Sequence, residues 1–177
     1  MRCASAFATW CMPQSTTDSQ RVVAYIGLGA NLGDAQATLH DAQQLLAALP
    51  DTALQACSAL YRTAPVDATG PDYLNAVVRL ETGLAPHALL GALQRIEQTH
   101  GRQRSVRNAP RTLDLDLLLY SDQCINTPDL VVPHPRLHQR AFVLRPLADI
   151  APDLEVPGCG RVTDLLVPLA DQRIERL

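Results

Sequence analysis

Lysine is absent from this 177-residue chain, and all of its 15 formal cations are arginines. The absence excludes chemistry that needs a primary amine: a Schiff-base lysine, the lysine closing a glycine-rich phosphate loop, and the strand lysine of protein kinases. What remains is arginine, a permanently charged planar fork that meets phosphate or carboxylate oxygens two at a time, and that also serves as a plain solvated cation. Cysteine is sparse and scattered. Cys3, Cys11, Cys57, Cys124 and Cys159 contain no Cys-x-x-Cys pair and are odd in number, so neither a thiolate zinc site nor a disulfide framework is indicated and a reducing, cytoplasmic setting is expected. Positive charge is also in short supply: the formal net charge of −3 argues against a general nucleic-acid or anionic-membrane binder. Behind Arg2, the partly apolar run from Cys3 to Met12 is too polar for a signal peptide and far too short to span a bilayer. Residues 1–20 are therefore expected to form a disordered or docked extension, and residues 21–177 a single domain, taken as a monomer.

From Arg21 onward, strand-like and helix-like patterns alternate. Val22 to Leu28 is a β-branched and aromatic run that reads as a buried strand entering a tight turn at Gly27-Leu28-Gly29. Asp34 can cap a helix with Leu39, Ala42, Leu45, Leu46 and Leu49 on its apolar face, stopped by Pro50. Strands are expected from Leu54 to Thr63 and from Tyr73 to Thr82. Pro86 opens a second helix with Leu89, Leu90, Leu93 and Ile96 along one side and Gly101 after its end. Thr112 to Tyr120 alternates acids and leucines as a strand, and Pro133 to Ile150 reads as a proline-punctuated helical stretch. The order β-α-β-β-α-β predicts a ferredoxin-like α+β sandwich, a mostly antiparallel sheet covered by helices.

The segment Leu113-Asp114-Leu115-Asp116-Leu117-Leu118-Leu119 is the most informative. Strand side chains alternate, so Asp114 and Asp116 share one face and Leu113, Leu115, Leu117 and Leu119 the other. Two carboxylates so close repel each other, a state relieved by a divalent cation such as magnesium or by arginines; a salt-bridged or solvent-facing strand end is the plainer alternative. Upstream, Arg102, Arg104, Arg107 and Arg111 fall within ten residues, where an even spread would put about one. With Gly101 and Pro110 beside them they read as a phosphate-closing loop, against the ordinary solvated charge run. Gly27-Leu28-Gly29-Ala30-Asn31-Leu32-Gly33 has one residue too many for a dinucleotide fingerprint, and turn glycines before an Asp34 cap are the better reading. His134 and His138 are four apart but have no third ligand nearby, so a phosphate hydrogen bond fits His134 better than zinc. Asn75 can read a heterocycle edge with its paired donors and acceptors, and Phe142 can stack on such a ring or fill the core.

Together these residues resemble one family, the 6-hydroxymethyl-7,8-dihydropterin pyrophosphokinases of folate biosynthesis. The blocks that carry the resemblance are Ala24-Tyr25-Ile26-Gly27-Leu28-Gly29-Ala30-Asn31-Leu32-Gly33, Tyr61-Arg62-Thr63, Pro71-Asp72-Tyr73-Leu74-Asn75-Ala76, Gln94-Arg95-Ile96-Glu97, Gly101-Arg102, Pro110-Arg111-Thr112-Leu113-Asp114-Leu115-Asp116 and Val132-Pro133-His134-Pro135-Arg136. The resemblance implies transfer of pyrophosphate from ATP to the hydroxymethyl group of the dihydropterin, leaving AMP. It implies Asp114 and Asp116 as ligands of two Mg2+ ions, and Arg102 and Arg111 as catalytic partners of that pair. Gln94, Glu97, Arg104, Arg107, Arg111, His134 and Arg140 are implied ATP contacts, and Thr63, Tyr73, Asn75 and Phe142 an implied pterin pocket. Small-molecule substrates are thus expected, and no nucleic acid or membrane. The chain departs from many relatives at Asn108-Ala109, where a tryptophan and a glycine are common, and at Ala64 and Pro135. A transferase using ATP on another acceptor, or a non-catalytic domain holding RNA with its arginine loop, are the alternatives, and the low positive charge argues against the second.

Overall fold

The β-branched run starting at Val22 forms strand β1 (Val22–Ala30), which continues through Gly27 and Gly29 in extended conformation. The turn expected at those glycines comes later, at Gly33, whose φ of +64° favours a residue without a Cβ. Residues 21–65, 70–101 and 112–177 are the ones described in this computed structural model, so the expected extension 1–20 and the loop arginines Arg102, Arg104, Arg107 and Arg111 lie outside the described residues. After the turn, Asp34 caps helix α1 (Ala35–Ala47) by accepting from the Ala37 amide at 3.0 Å, as its position predicts. Leu39, Ala42 and Leu46 are buried, whereas Leu45 is 40% exposed. One residue turns a helix by about 100°, which carries Leu45 to the margin of the apolar stripe.

The strand expected from Leu54 to Thr63 is broken in two, β2 (Thr52–Cys57) and β3 (Tyr61–Thr63). Ser58 makes the break. Its amide donates to the Val77 carbonyl, and its hydroxyl, in place of a backbone carbonyl, accepts from the Val77 amide at 3.0 Å. Next come β4 (Tyr73–Thr82), α2 (Pro86–Thr99) with proline in its first turn, and β5 (Asp114–Tyr120). The rest of the chain adds β6 (Ile125–Asn126), β7 (Val131–Val132), α3 (Ala141–Ile150), β8 (Glu155–Val156), β9 (Gly160–Arg161), α4 (Val162–Leu166) and β10 (Glu175–Arg176). The helix expected from Pro133 starts only at Ala141, after a single 3-10 turn at Leu137–Gln139. Pro133 and Pro135 withhold two amide donors and hold the residues before them extended, which delays helix formation.

The main sheet runs β10-β3-β4-β1-β5 with β2 also on β4, and every pairing is antiparallel. β1 therefore lies between β4 and β5, the split arrangement expected of a ferredoxin-like fold. One face packs Ala24, Ile26, Leu28, Val78 and Leu80 against Leu39 and Leu46 of α1 and Leu89 and Leu93 of α2. The other packs Tyr25, Val77 and Leu118 against Val143, Leu144 and Leu147 of α3 and Val162 of α4. Strict alternation would put Leu119 with Leu113, Leu115 and Leu117. A register shift between β1 and β5 instead pairs Tyr25 with Leu119 and Ile26 with Leu117, and Leu119 joins Leu118 on the α3 side. Among the described residues no helix is long and apolar enough to cross a membrane.

Candidate active site

The face of the sheet that α3 covers at one end carries polar side chains at the other. Cross-strand partners share a face, and the register aligns Tyr61, Asn75, Gly29 and Asp114 in one row across β3, β4, β1 and β5. The next row is Val77, Gly27 and Asp116. Asp114 and Asp116 thus lie on one face, as their spacing predicts, and it is the face that holds Asn75. Thr63, paired with Tyr73, accepts a 2.9 Å hydrogen bond through its hydroxyl from the Asn75 side-chain amide. That bond orients the amide, and Asn75 is only 6% exposed. The sheet brings Thr63, Tyr73, Asn75, Asp114 and Asp116 together, although they come from three strands and up to 53 residues separate Thr63 from Asp116.

Gly27 and Gly29 lie between the two halves of this surface. A Cβ on Gly29 would come 3.5 Å from Asn75 Oδ1, and one on Gly27 would come 3.4 Å from the Leu118 side chain. The missing side chain of Gly29 keeps the floor between Asn75 and Asp114 low, and that of Gly27 lets Leu118 pack closely against the strand. Sequence reasoning missed this role; the available signal was the spacing of two, which in a strand places both glycines on one face.

The segment before α3 supplies the cations. Arg140 Nη1 lies 3.8 Å and His134 Nε2 4.0 Å from Asp116 Oδ2, ion-pair separations longer than a hydrogen bond. The Arg140 guanidinium also sits 5.5 Å from the centroid of the Phe142 ring, within cation–π range. His134 is fixed at both ends: its amide donates to Leu118 O at 2.9 Å, and its Nδ1 accepts from the Arg136 amide at 3.1 Å. The hydrogen-bond pattern puts the neutral ring's proton on Nε2, the nitrogen facing Asp116. Burial pushes the imidazole below its usual pKa; Asp116 opposes this, Arg140 and Arg136 reinforce it, and Asp114 opposes it. His134 accordingly presents an Nε2–H donor on the side that faces Asp116. His138, four residues on, is within 3.2 Å of the Gln139 side-chain amide on the surface. No group of three or more His, Cys, Asp or Glu side chains placed to hold a metal ion occurs among the described residues.

Gln94 and Glu97 lie on α2, three residues apart. Glu97 is 3% exposed, and its Oε1 accepts from the Leu115 amide at 2.7 Å.

Gln172, which the sequence did not single out, bridges the start of α3. Its Oε1 accepts from the Ala141 amide at 2.9 Å and its Nε2 donates to Gln139 O at 3.0 Å. Arg140, the N-cap residue, makes no side-chain capping bond, so Gln172 does that work from 31 residues away. Gln172→Ala is expected to cost about 1 kcal/mol, or roughly 2–4 °C in thermal midpoint, read by circular dichroism; an unchanged midpoint would deny the cap any weight.

A family model described as 7,8-dihydro-6-hydroxymethylpterin-pyrophosphokinase (HPPK) matches residues 25–152. The chain is 46% identical over 159 residues to a Pseudomonas aeruginosa 2-amino-4-hydroxy-6-hydroxymethyldihydropteridine pyrophosphokinase, spanning 89% of this chain and 97% of that protein. A Haemophilus influenzae protein of the same description is 42% identical over 88% of this chain and 98% of its own length. Among solved structures, a Plasmodium falciparum HPPK-DHPS chain crystallised with pteroate superposes with a TM-score of 0.70 at 12% identity, over 91% of this chain. This chain spans 47% of that fusion, and the likeness is one of fold.

Proposed function

The chain belongs to the 7,8-dihydro-6-hydroxymethylpterin-pyrophosphokinase family, and from that premise we infer that it transfers pyrophosphate from ATP to 6-hydroxymethyl-7,8-dihydropterin, a step of folate biosynthesis. The hydroxymethyl oxygen bonds to the β-phosphorus while the bond from that phosphorus to the oxygen bridging the α-phosphate breaks. The hydroxyl gives its proton to solvent water, the pterin leaves with the β- and γ-phosphates, and AMP remains.

The observation that carries this reading is the row Asn75, Gly29, Asp114, with Asp116 one pleat further on. It sets a heterocycle-reading amide and two hard carboxylates on one surface, with Gly29 between Asn75 and Asp114. The pterin edge is read by Asn75, oriented through Thr63. Tyr73 and Phe142 would flank the ring, whose hydroxymethyl arm then points along the glycine floor toward Asp116.

The donor set fits magnesium. Asp114 and Asp116 offer hard oxygens two residues apart on one strand face, the donor type taken by a cation that keeps several waters and shares its shell with phosphates. When bound, Mg2+ supplies neutralisation of the triphosphate charge and binding of the acceptor hydroxyl; two ions are part of this proposal. His134, through its Nε2–H, and Arg140 donate to phosphate oxygens beside Asp116. Arg102, Arg104, Arg107 and Arg111 serve as forks that spread the charge developing on the transferred group, with Arg102 and Arg111 at the reacting centre. Gln94 is proposed to contact the nucleotide from α2. The same reading takes the chain as a cytoplasmic monomer; the unpaired Cys57, Cys124 and Cys159 suit a reducing compartment.

With ATP, Mg2+ and the dihydropterin, the protein is expected to release AMP and pterin diphosphate in equal amounts, resolved by anion-exchange chromatography. Release of ADP, or AMP without the pterin product, would overturn the reading.

A further inference from the structure

Glu97 is the one charged side chain that is buried among the described residues, at 3% exposure. A carboxylate leaves water only where strong partners replace its hydration. One partner is the Leu115 amide at 2.7 Å, a short, charge-assisted bond. Leu115 stands between Asp114 and Asp116, and its N–H points away from β1, toward the side where β5 is the last strand of the sheet. A helix side chain thus supplies the acceptor that a further strand would otherwise provide.

β5 needs such an anchor at this point. Its pairing with β1 shifts register near Leu118 and ends at the Gly29–Asp114 pair, so the two aspartates occupy a short terminal stretch between an irregularity and the strand's end. Slippage or fraying there would turn both carboxylates away from the face that holds Asn75. We propose that Glu97 is a positioning residue, which acts through the Leu115 amide to hold Asp114 and Asp116 on the reactive face, and that it does not itself contact the nucleotide. The role of the aspartates rests on the pyrophosphokinase reading; the role of Glu97 as their anchor is separate from it.

The test compares Glu97→Gln, Glu97→Ala and Glu97→Asp. Glutamine keeps an oxygen at the accepting position, alanine removes it, and aspartate keeps the charge one methylene short. Leu115 amide exchange, followed by NMR in the full chain without nucleotide, reads the anchor directly. Glu97→Gln is expected to stay within about threefold of the wild type in Leu115 exchange and in the Mg2+ concentration for half-maximal AMP release, whereas Glu97→Ala and Glu97→Asp exchange Leu115 at least tenfold faster and need roughly tenfold more Mg2+. KM for the pterin should change by less than about threefold in all three, because a positioning defect in the metal ligands leaves pterin binding in place.

Wild-type Mg2+ dependence in Glu97→Ala would overturn the proposal. So would a Glu97→Gln variant as impaired as alanine while its Leu115 amide stays protected, since the charge itself would then be what the reaction needs. If the alanine variant fails to fold, Glu97→Asp decides: wild-type exchange and wild-type Mg2+ dependence there sink the proposal. Should the wild-type protein release no AMP, the functional reading fails by itself, and Leu115 exchange together with Mg2+-induced shifts of the Asp114 and Asp116 amides still settles whether Glu97 anchors the strand.

Discussion

Replacing Asp114 or Asp116 by alanine is expected to reduce AMP release by about 10³-fold or more while the protein stays folded, since either change removes charge stabilisation at the reacting phosphate. The two carboxylates face the same side of β5, two residues apart, opposite glycines that offer them no side-chain partner from β1. Repulsion between the two is offset at Asp116 by Arg140 and His134, so deleting either carboxylate should leave the protein folded with a thermal midpoint close to that of the wild type. Asp114→Asn and Asp116→Asn separate shape from charge. They preserve the outline of the side chain, lose the hard anion, and should be as inactive as alanine. Initial rates at saturating Mg2+ and melting followed by circular dichroism give both readouts. Activity within tenfold of the wild type would remove the aspartates from the chemistry, and loss of the folded state would make them structural.

Gly29→Val should cut kcat/KM for the pterin by about 10²-fold, by obstructing the position in which the acceptor is held. Valine suits a strand and Gly29 has no unusual φ, so stability should be preserved. Among the described residues a Cβ there meets only Asn75 Oδ1, at an ordinary 3.5 Å, which leaves Gly29→Ala close to wild type. The two further methyl carbons of valine project above the floor between Asn75 and Asp114. Binding of a non-hydrolysable ATP analogue, measured calorimetrically, should change little. Wild-type kcat/KM in the valine variant would show that the pterin does not lie across Gly29.

Much of the scaffold was legible because it depends on local periodicity. The Asp34 cap, proline in the first turn of α2, and the span of β4 from Tyr73 to Thr82 are set by residues that act on their own neighbours. Expectations failed where a partner distant in sequence intervened. Ser58 splits a strand because Val77 lies across from it, and the register shift opposite Tyr25 sends Leu119 to the other face. Gly27 and Gly29 were misread as turn residues because glycine in isolation signals flexibility, and only the neighbouring Asn75 and Asp114 show that a missing side chain is what the position requires.

For the site, the Asp-x-Asp alternation was enough to put two carboxylates on one strand face, since the pleat requires no knowledge of the rest of the chain, and the absence of lysine left arginine as the permanent side-chain cation. The arrangement of the other residues around that pair was a tertiary outcome. Antiparallel pairing on both sides of β1 put Asn75 and Asp114 in one row, the segment before α3 returned His134 and Arg140 to Asp116, and α2 set Glu97 against the Leu115 amide. Each of these depends on register or on packing between elements far apart in the chain. Such contacts are decided by which buried surfaces and hydrogen bonds can be satisfied together, and no local window of sequence contains that information.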